Sequence, residues 1–211
     1  MLFTNYHPLD ATIISLSSEF GCPIIGGTGL EVLLNHYGAV HRRVRSDNDI
    51  DFLDVDHDGT ARLMKRLRKL GFDSGRCSAD DAMVTFSRPG IEVDILLDGG
   101  GVAPNADVFG SHLAKVGQLL ILNECGMLFS KCTRVIDLQN GLDSGFGGNT
   151  ATSSAAAKIK HDLGDMALLK LLMAQRNSYA EYRSLVEAFA PPSLSFDGDE
   201  PEPSPYFTLL Y

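Results

Sequence analysis

Two short stretches carry the same alternation of acidic and apolar residues, and that alternation restricts the fold more than any other feature of the chain. Asp49-Ile50-Asp51-Phe52 and Glu92-Val93-Asp94-Ile95 each place an acid at every second position. In a strand, residues two apart point to the same face. Asp49 and Asp51 therefore project together, while Ile50 and Phe52 turn to a core on the other side. In the second stretch Ile91, Val93, Ile95 and Leu97 form the apolar face, with Glu92 and Asp94 opposite. If the two strands are neighbours, three or four carboxylates converge on one patch. Carboxylates gathered that closely repel one another, and a hard cation among them, Mg²⁺ or Mn²⁺, lets them all stay ionised at neutral pH. Two such ions can bridge a triphosphate and activate an attacking hydroxyl. Spacing alone fits equally well the wet face of an edge strand.

A second feature lies upstream. The apolar run Cys22 to Ile25 leads into Gly26-Gly27-Thr28, and a helical pattern follows from Gly29 to Tyr37. Paired glycines let backbone amides approach a ligand closely, and a helix N-terminus suits phosphate. Thr28 with Glu31 fits a capping box, and Gly38 is placed to stop the helix. Tight turns use the same residues. No Gly-Lys-Ser/Thr follows, so a P-loop is not expected, and no Gly-x-Gly-x-x-Gly follows a strand.

The rest of the chain supplies the frame. Residues 11–20 fit a helix or a strand equally. Residues 58–70 are an amphipathic helix, with Leu63, Met64, Leu67 and Leu70 as its apolar stripe and Gly71 as its stop. Residues 83–87 and 91–97 flank Arg88-Pro89-Gly90 and read as a hairpin. Residues 118–122 and 133–137 are expected to be two further strands. Residues 139–154 read as a flexible connection, and residues from Ala155 to about Ala190 as helix, interrupted near Gly164. The expected organisation is an α/β (α+β) core over 1–140, a helical segment over 155–190 and an extended tail over 191–211. Asp54-Val55-Asp56-His57-Asp58-Gly59 matches the first half of an EF-hand loop. Position twelve is then Lys65, where calcium needs a bidentate glutamate, which argues against that site.

Charge and cysteine usage narrow the function. The net charge of -9 argues against holding long nucleic acid by bulk charge. No apolar run approaches a membrane span, and MLFTNYHPLD lacks the pattern of a signal peptide. Cys22, Cys77, Cys125 and Cys132 form no Cys-x-x-Cys pair or zinc spacing, so reduced thiols in a cytoplasmic protein are expected. His36, His41, His57, His112 and His161 show no metal-ligand spacing, and Ser46 has no His/Asp arrangement behind it. Lys170 falls within the helical stripe of Ile159, Leu163, Met166 and Met173, where a lysine either snorkels to water or meets an anion.

The order PIIGGTGLEVLL, HRRVRSDNDIDF, IEVDILLD resembles the nucleotidyltransferase superfamily, with the closest likeness to proteins of the AbiEii/AbiGii toxin type. Those proteins carry a Gly-Gly-Thr/Ser turn, then Arg-x-Thr/Ser-x-Asp-hydrophobic-Asp, then a third acid on a later strand. Gly26, Gly27 and Thr28 match the turn, Arg45 the arginine, Asp49 and Asp51 the pair, and Asp94 the third acid. Asp47 stands where the family has Thr or Ser. Further on, Asp165-Met166 and Lys170 to Arg176 are similar to the family's helical motif. Glu181 stands where that motif has Asp, and Tyr179 and Ala180 where it has lysines.

The resemblance implies a mixed, mainly antiparallel sheet flanked by helices, with a C-terminal helical segment. It also implies an NTP substrate with Mg²⁺ or Mn²⁺, and transfer of a nucleoside monophosphate to a hydroxyl acceptor. In that reading Asp49, Asp51 and Asp94 hold the metal, and Asp94 polarises the attacking hydroxyl. Gly26, Gly27 and Thr28 hold the triphosphate, with Arg45 and Lys170 as charge partners. The acceptor stays open among a tRNA end, a protein and a small molecule, no membrane partner is expected, and a cognate antitoxin fits the toxin type. The departures around Glu181 leave room for a non-catalytic nucleotide- or partner-binding protein of the same fold. A phosphohydrolase using the same acids is a third reading.

Overall fold

The computed structural model describes residues 8–39, 49–77, 83–97, 106–143 and 149–189. It divides into two compact units, Met1–Asn123 and Glu124–Tyr211. Residues 133–137 are not a strand. They lie inside a helix that begins at Glu124.

The first unit is a mixed α/β arrangement. Its strands are β1 (Asp49–Leu53), β2 (Asp73–Cys77), β3 (Met83–Arg88), β4 (Ile91–Leu96), β5 (Leu113–Val116) and β6 (Leu119–Leu122); its helices are α1 (Pro8–Phe20), α2 (Gly26–His36), α3 (His57–Lys69) and the short α4 (Ala106–Phe109). Four strands pair in the order β1-β4-β3-β2, and β5 and β6 form a hairpin. Among the strand pairs of the described residues only β1–β4 is parallel, so the sheet is mixed and mainly antiparallel, as expected.

Ile24 connects the two sheets. It bridges Phe52 on one side and Ile121 on the other. Ile24 N–H donates to Leu120 O at 2.9 Å, and Ile25 N–H donates to Asp51 O at 2.9 Å. The run Cys22 to Ile25 is therefore an inserted strand segment that delivers the glycine turn beside β1.

One face of the sheet is apolar. Ile50, Phe52, Phe86, Val93 and Ile95 are buried, as are Leu63 and Leu67 of α3, each worth roughly 1.5–3 kcal/mol of transfer. The Arg68 guanidinium of α3 lies 5.5 Å from the Phe86 ring centroid. At the end of β1, Asp54 is buried. It accepts from Thr60 Oγ1 at 2.7 Å and sits 2.6 Å from His57 Nδ1. Asp56 caps α3 by accepting from Asp58 N–H. These carboxylates are committed to starting a helix, which removes the EF-hand resemblance.

The second unit is helical: α5 (Glu124–Asp143), α6 (Asn149–Arg176) and α7 (Tyr179–Phe189), with α5 packed on α6 and α7. Three expectations are corrected here. Residues 133–137 are helix, Gln139–Asp143 and the stretch from Asn149 onward are helical where a connection was expected, and α6 runs through Gly164 without a break. The turn comes instead at Asn177, at φ 56, between α6 and α7. The tail over 191–211 lies outside the described residues.

Candidate functional site

The parallel pairing sets the site. β1 and β4 align Asp49 with Glu92 and Asp51 with Asp94. In a parallel pair, aligned residues project to the same side. Two in-register rows of carboxylates therefore occupy the face opposite Ile50, Phe52, Val93 and Ile95. The antiparallel partner β3 extends the rows, with Thr85 aligned to Asp94 and Ser87 to Glu92. Asp49 and Glu92 are exposed, and Asp51 and Asp94 are half-buried. Thr85 Oγ1 donates to Asp94 Oδ1 at 2.6 Å.

The glycine turn closes on the same acids. Gly26 opens α2 with φ +62, a left-handed conformation that favours glycine. A Cβ on Gly26 would stand 1.9 Å from Asp51 Oδ2 and 2.9 Å from its Cγ. The Asp51 carboxylate thus packs directly over the Gly26 backbone. Thr28 is buried, and its Oγ1 donates to Asp49 O at 3.3 Å.

The capping box expected from Thr28 and Glu31 is not what starts the helix. The N-cap is Ile25, which offers no side-chain cap, and Thr28 is already the third residue of α2. The glycine pair belongs to the helix because Ile25 remains extended, at φ -120 and ψ -161, in its pairing with β1. An apolar N-cap leaves the amides of the first turn without the side-chain acceptor that Ser, Thr, Asp or Asn would supply at that position.

Gly26, Thr28, Asp49, Asp51 and Asp94 are therefore brought together along the paired β1 and β4, with Gly27 next in the same turn. Arg45 lies outside the described residues. Lys170 belongs to the helical unit, half-buried on α6, and its backbone carbonyl accepts from Tyr179 Oη at 2.9 Å. Thr85 was not among the residues singled out from the sequence.

Although their carboxylates are not gathered into one tight ligand group, the donor types suit a hard divalent cation: oxygen ligands only, on neighbouring strands, beside the glycine turn. A second grouping in the helical unit does not. His161 Nδ1 and carboxylate oxygens of Asp162 and Asp165 lie within 4.8 Å of one another. Lys131 Nζ, however, sits 2.7 Å from Asp162 Oδ1 and 2.7 Å from Asp165 Oδ2, and Arg134 Nε is 2.6 Å from Asp162 Oδ2. Two protein cations already balance the two carboxylates, and a metal would have to displace a buried ammonium. Burial alone would push the Asp162 carboxyl up, but the Arg134 hydrogen bond and the Lys131 charge outweigh it and hold Asp162 below the usual range. This is a buried ion-pair network.

Cys22, Cys125 and Cys132 are buried thiols outside any disulfide. Burial pushes the Cys22 thiol up to about 11 and the Cys125 thiol up to about 12. No helix among the described residues is long and apolar enough to cross a membrane.

No family model and no curated protein matches the chain. Among solved structures, the crystal structure of ANT(2″)-Ia in complex with adenylyl-2″-tobramycin is similar over 86% of this chain and 97% of that chain, at 12% identity and a TM-score of 0.49. The solution structure of the antibiotic-resistance factor ANT(2″)-Ia is similar over 83% and 95%, at 12% identity and a TM-score of 0.39. At 12% identity and TM-scores below 0.5, neither likeness bears on what this chain does.

Proposed function

We propose that the chain transfers a nucleoside monophosphate from an NTP to a hydroxyl acceptor, with pyrophosphate leaving. The observation that carries this reading is the alignment of Asp51 with Asp94 on parallel strands, beneath a glycine turn that admits no side chain. A phosphoryl-transfer site needs anionic ligands and phosphate-binding amides at one place, and these elements supply both.

In this reading Asp49, Asp51 and Asp94 hold Mg²⁺ or Mn²⁺, which when bound neutralises phosphate charge and orients the triphosphate. The first turn of α2, at Gly26, Gly27 and Thr28, takes phosphate oxygens on its amides. Asp94 accepts the proton of the acceptor hydroxyl as that oxygen bonds to the α-phosphorus, and the bond from the α-phosphorus to the pyrophosphate oxygen breaks. Positioning and fixed electrostatics supply most of the rate gain. Arg45 and Lys170 are assigned as charge partners of the triphosphate on the strength of the family resemblance.

The test is transfer itself. An NTP labelled at the α-phosphate, incubated with Mg²⁺ and pools of RNA, protein or small hydroxyl compounds, should release pyrophosphate and label one pool. Release of phosphate or free monophosphate without a labelled acceptor would identify hydrolysis. Binding without release of either would identify a nucleotide-binding module. The resemblance to the AbiEii/AbiGii type extends the proposal to a toxin-like role with a cognate antitoxin. That extension requires growth arrest on inducing the wild type but not Asp49→Asn.

A further inference from the structure

The row Asp51, Asp94, Thr85 holds one residue with no assigned role. The hairpin places Thr85 directly opposite Asp94. Its hydroxyl donates to Asp94 Oδ1 at 2.6 Å, within the range of charge-assisted O–H···O⁻ bonds. Thr85 is 9% exposed, and its β-branched side chain has few rotamers to explore. Water therefore competes poorly for that bond, and the hydroxyl is a stiff prop.

Asp94 stands between two neighbours of opposite character. On the β1 side is Asp51, a like charge that repels it. On the β3 side is Thr85, a donor that attracts it. A carboxylate in that position would swing away from Asp51 by whatever rotation its χ angles allow. Both effects draw the group toward β3, and the Thr85 bond anchors Oδ1 there and leaves Oδ2 as the oxygen to serve substrate or cation.

We infer that Thr85 is a positioning residue for nucleotidyl transfer, holding Asp94 Oδ1 so that Oδ2 faces the reacting groups. The inference rests on the transfer reading above. It predicts that Thr85 acts on the chemical step and on cation binding more than on nucleotide binding, since the triphosphate contacts belong to the turn at Gly26.

Thr85→Val keeps shape and loses the donor, whereas Thr85→Ser keeps the donor. In steady-state kinetics with Mg²⁺-NTP, Thr85→Val should lose roughly 10- to 100-fold in kcat, the scale of a hydrogen bond to a charged group. At saturating Mg²⁺, KM for the NTP should stay within about twofold of wild type, well inside 1.4 kcal/mol. Thr85→Ser should recover most of kcat. Mn²⁺ titration followed by water-proton relaxation reads the same effect without turnover: Thr85→Val should bind Mn²⁺ more weakly than wild type, and Thr85→Ser like wild type. Should Thr85→Val fail to fold, Thr85→Ala against Thr85→Ser gives the same comparison. Wild-type kcat and Mn²⁺ affinity in a folded Thr85→Val would overturn the inference. So would a Thr85→Ser variant as impaired as Thr85→Val, because keeping the donor would then not preserve function. If Asp94→Asn abolishes transfer while Thr85→Val keeps wild-type kcat, the inference alone fails. If the wild type neither transfers nucleotide nor binds Mn²⁺, the transfer reading fails and takes the inference with it.

Discussion

Gly26→Ala perturbs the point where the turn and the acids meet. At φ +62 the alanine first pays the left-handed backbone penalty, about 1–2 kcal/mol. Its Cβ then stands 1.9 Å from Asp51 Oδ2, where ordinary contact begins at 3.4 Å, so the carboxylate has to withdraw by about 1.5 Å. Misplacing a working group by about 1 Å costs on the order of a hundredfold in rate, or ~2.7 kcal/mol. Loss of function should therefore exceed loss of stability. Gly71→Ala is the matched control: Gly71 has φ +82, and a Cβ there meets nothing within 4 Å. It bears the same backbone penalty and no clash. Denaturant unfolding should show Gly71→Ala destabilised by roughly the backbone penalty and Gly26→Ala by that penalty plus the cost of displacing Asp51. Calorimetry with Mg²⁺-NTP and a pyrophosphate-release assay should show near-wild-type behaviour for Gly71→Ala and a loss of about a hundredfold in turnover for Gly26→Ala. Equal turnover in the two variants refutes the placement of Asp51 in the working site.

Three further outcomes are expected. Lys131→Met should destabilise the protein by roughly 3–5 kcal/mol, because it leaves Asp162 and Asp165 buried beside one fewer cation; urea unfolding measures it. The depressed carboxyl of Asp162 contributes stability that is fully present above its unfolded value of 3.8 and is lost as pH falls through the lower folded value, so acid unfolding of the wild type should steepen below pH 3.8 and that component should shrink in Arg134→Met. Lys170→Ala should weaken triphosphate binding more than monophosphate binding if the ammonium meets phosphate, and should affect both equally if it only snorkels; paired titrations distinguish the two.

The polar faces of β1 and β4 were legible because acid and apolar residues alternate with strand period. Their adjacency was not. β2 and β3 intervene in sequence, and a parallel pairing leaves no local mark in either strand. Thr85 was within reach. Counting back along both strands from the turn at Pro89 and Gly90 sets Thr85 opposite Asp94, but a threonine in a strand carries no chemical signal of its own. The segment 133–137 misled for a physical reason. Thr133, Val135 and Ile136 are β-branched and favour strands locally. In the fold, Val135 and Cys132 are buried in the helical core, and the Thr133 hydroxyl donates back to Phe129 O and Ser130 O. Tertiary burial and back-bonding thus overrode propensity. Thr28 misled similarly, since the N-cap was decided by the pairing of Ile25 with β1 and not by a capping side chain.

The central claim is that the carboxylates of β1 and β4 form a cation-dependent NTP site. Calorimetric titration of wild type, Asp49→Asn and Asp51→Asn with an NTP analogue, with and without Mg²⁺, tests it most directly. Binding should require Mg²⁺ in the wild type and be lost in both variants, each with an unchanged unfolding transition. Binding of equal strength in all three proteins, or binding indifferent to Mg²⁺, contradicts it.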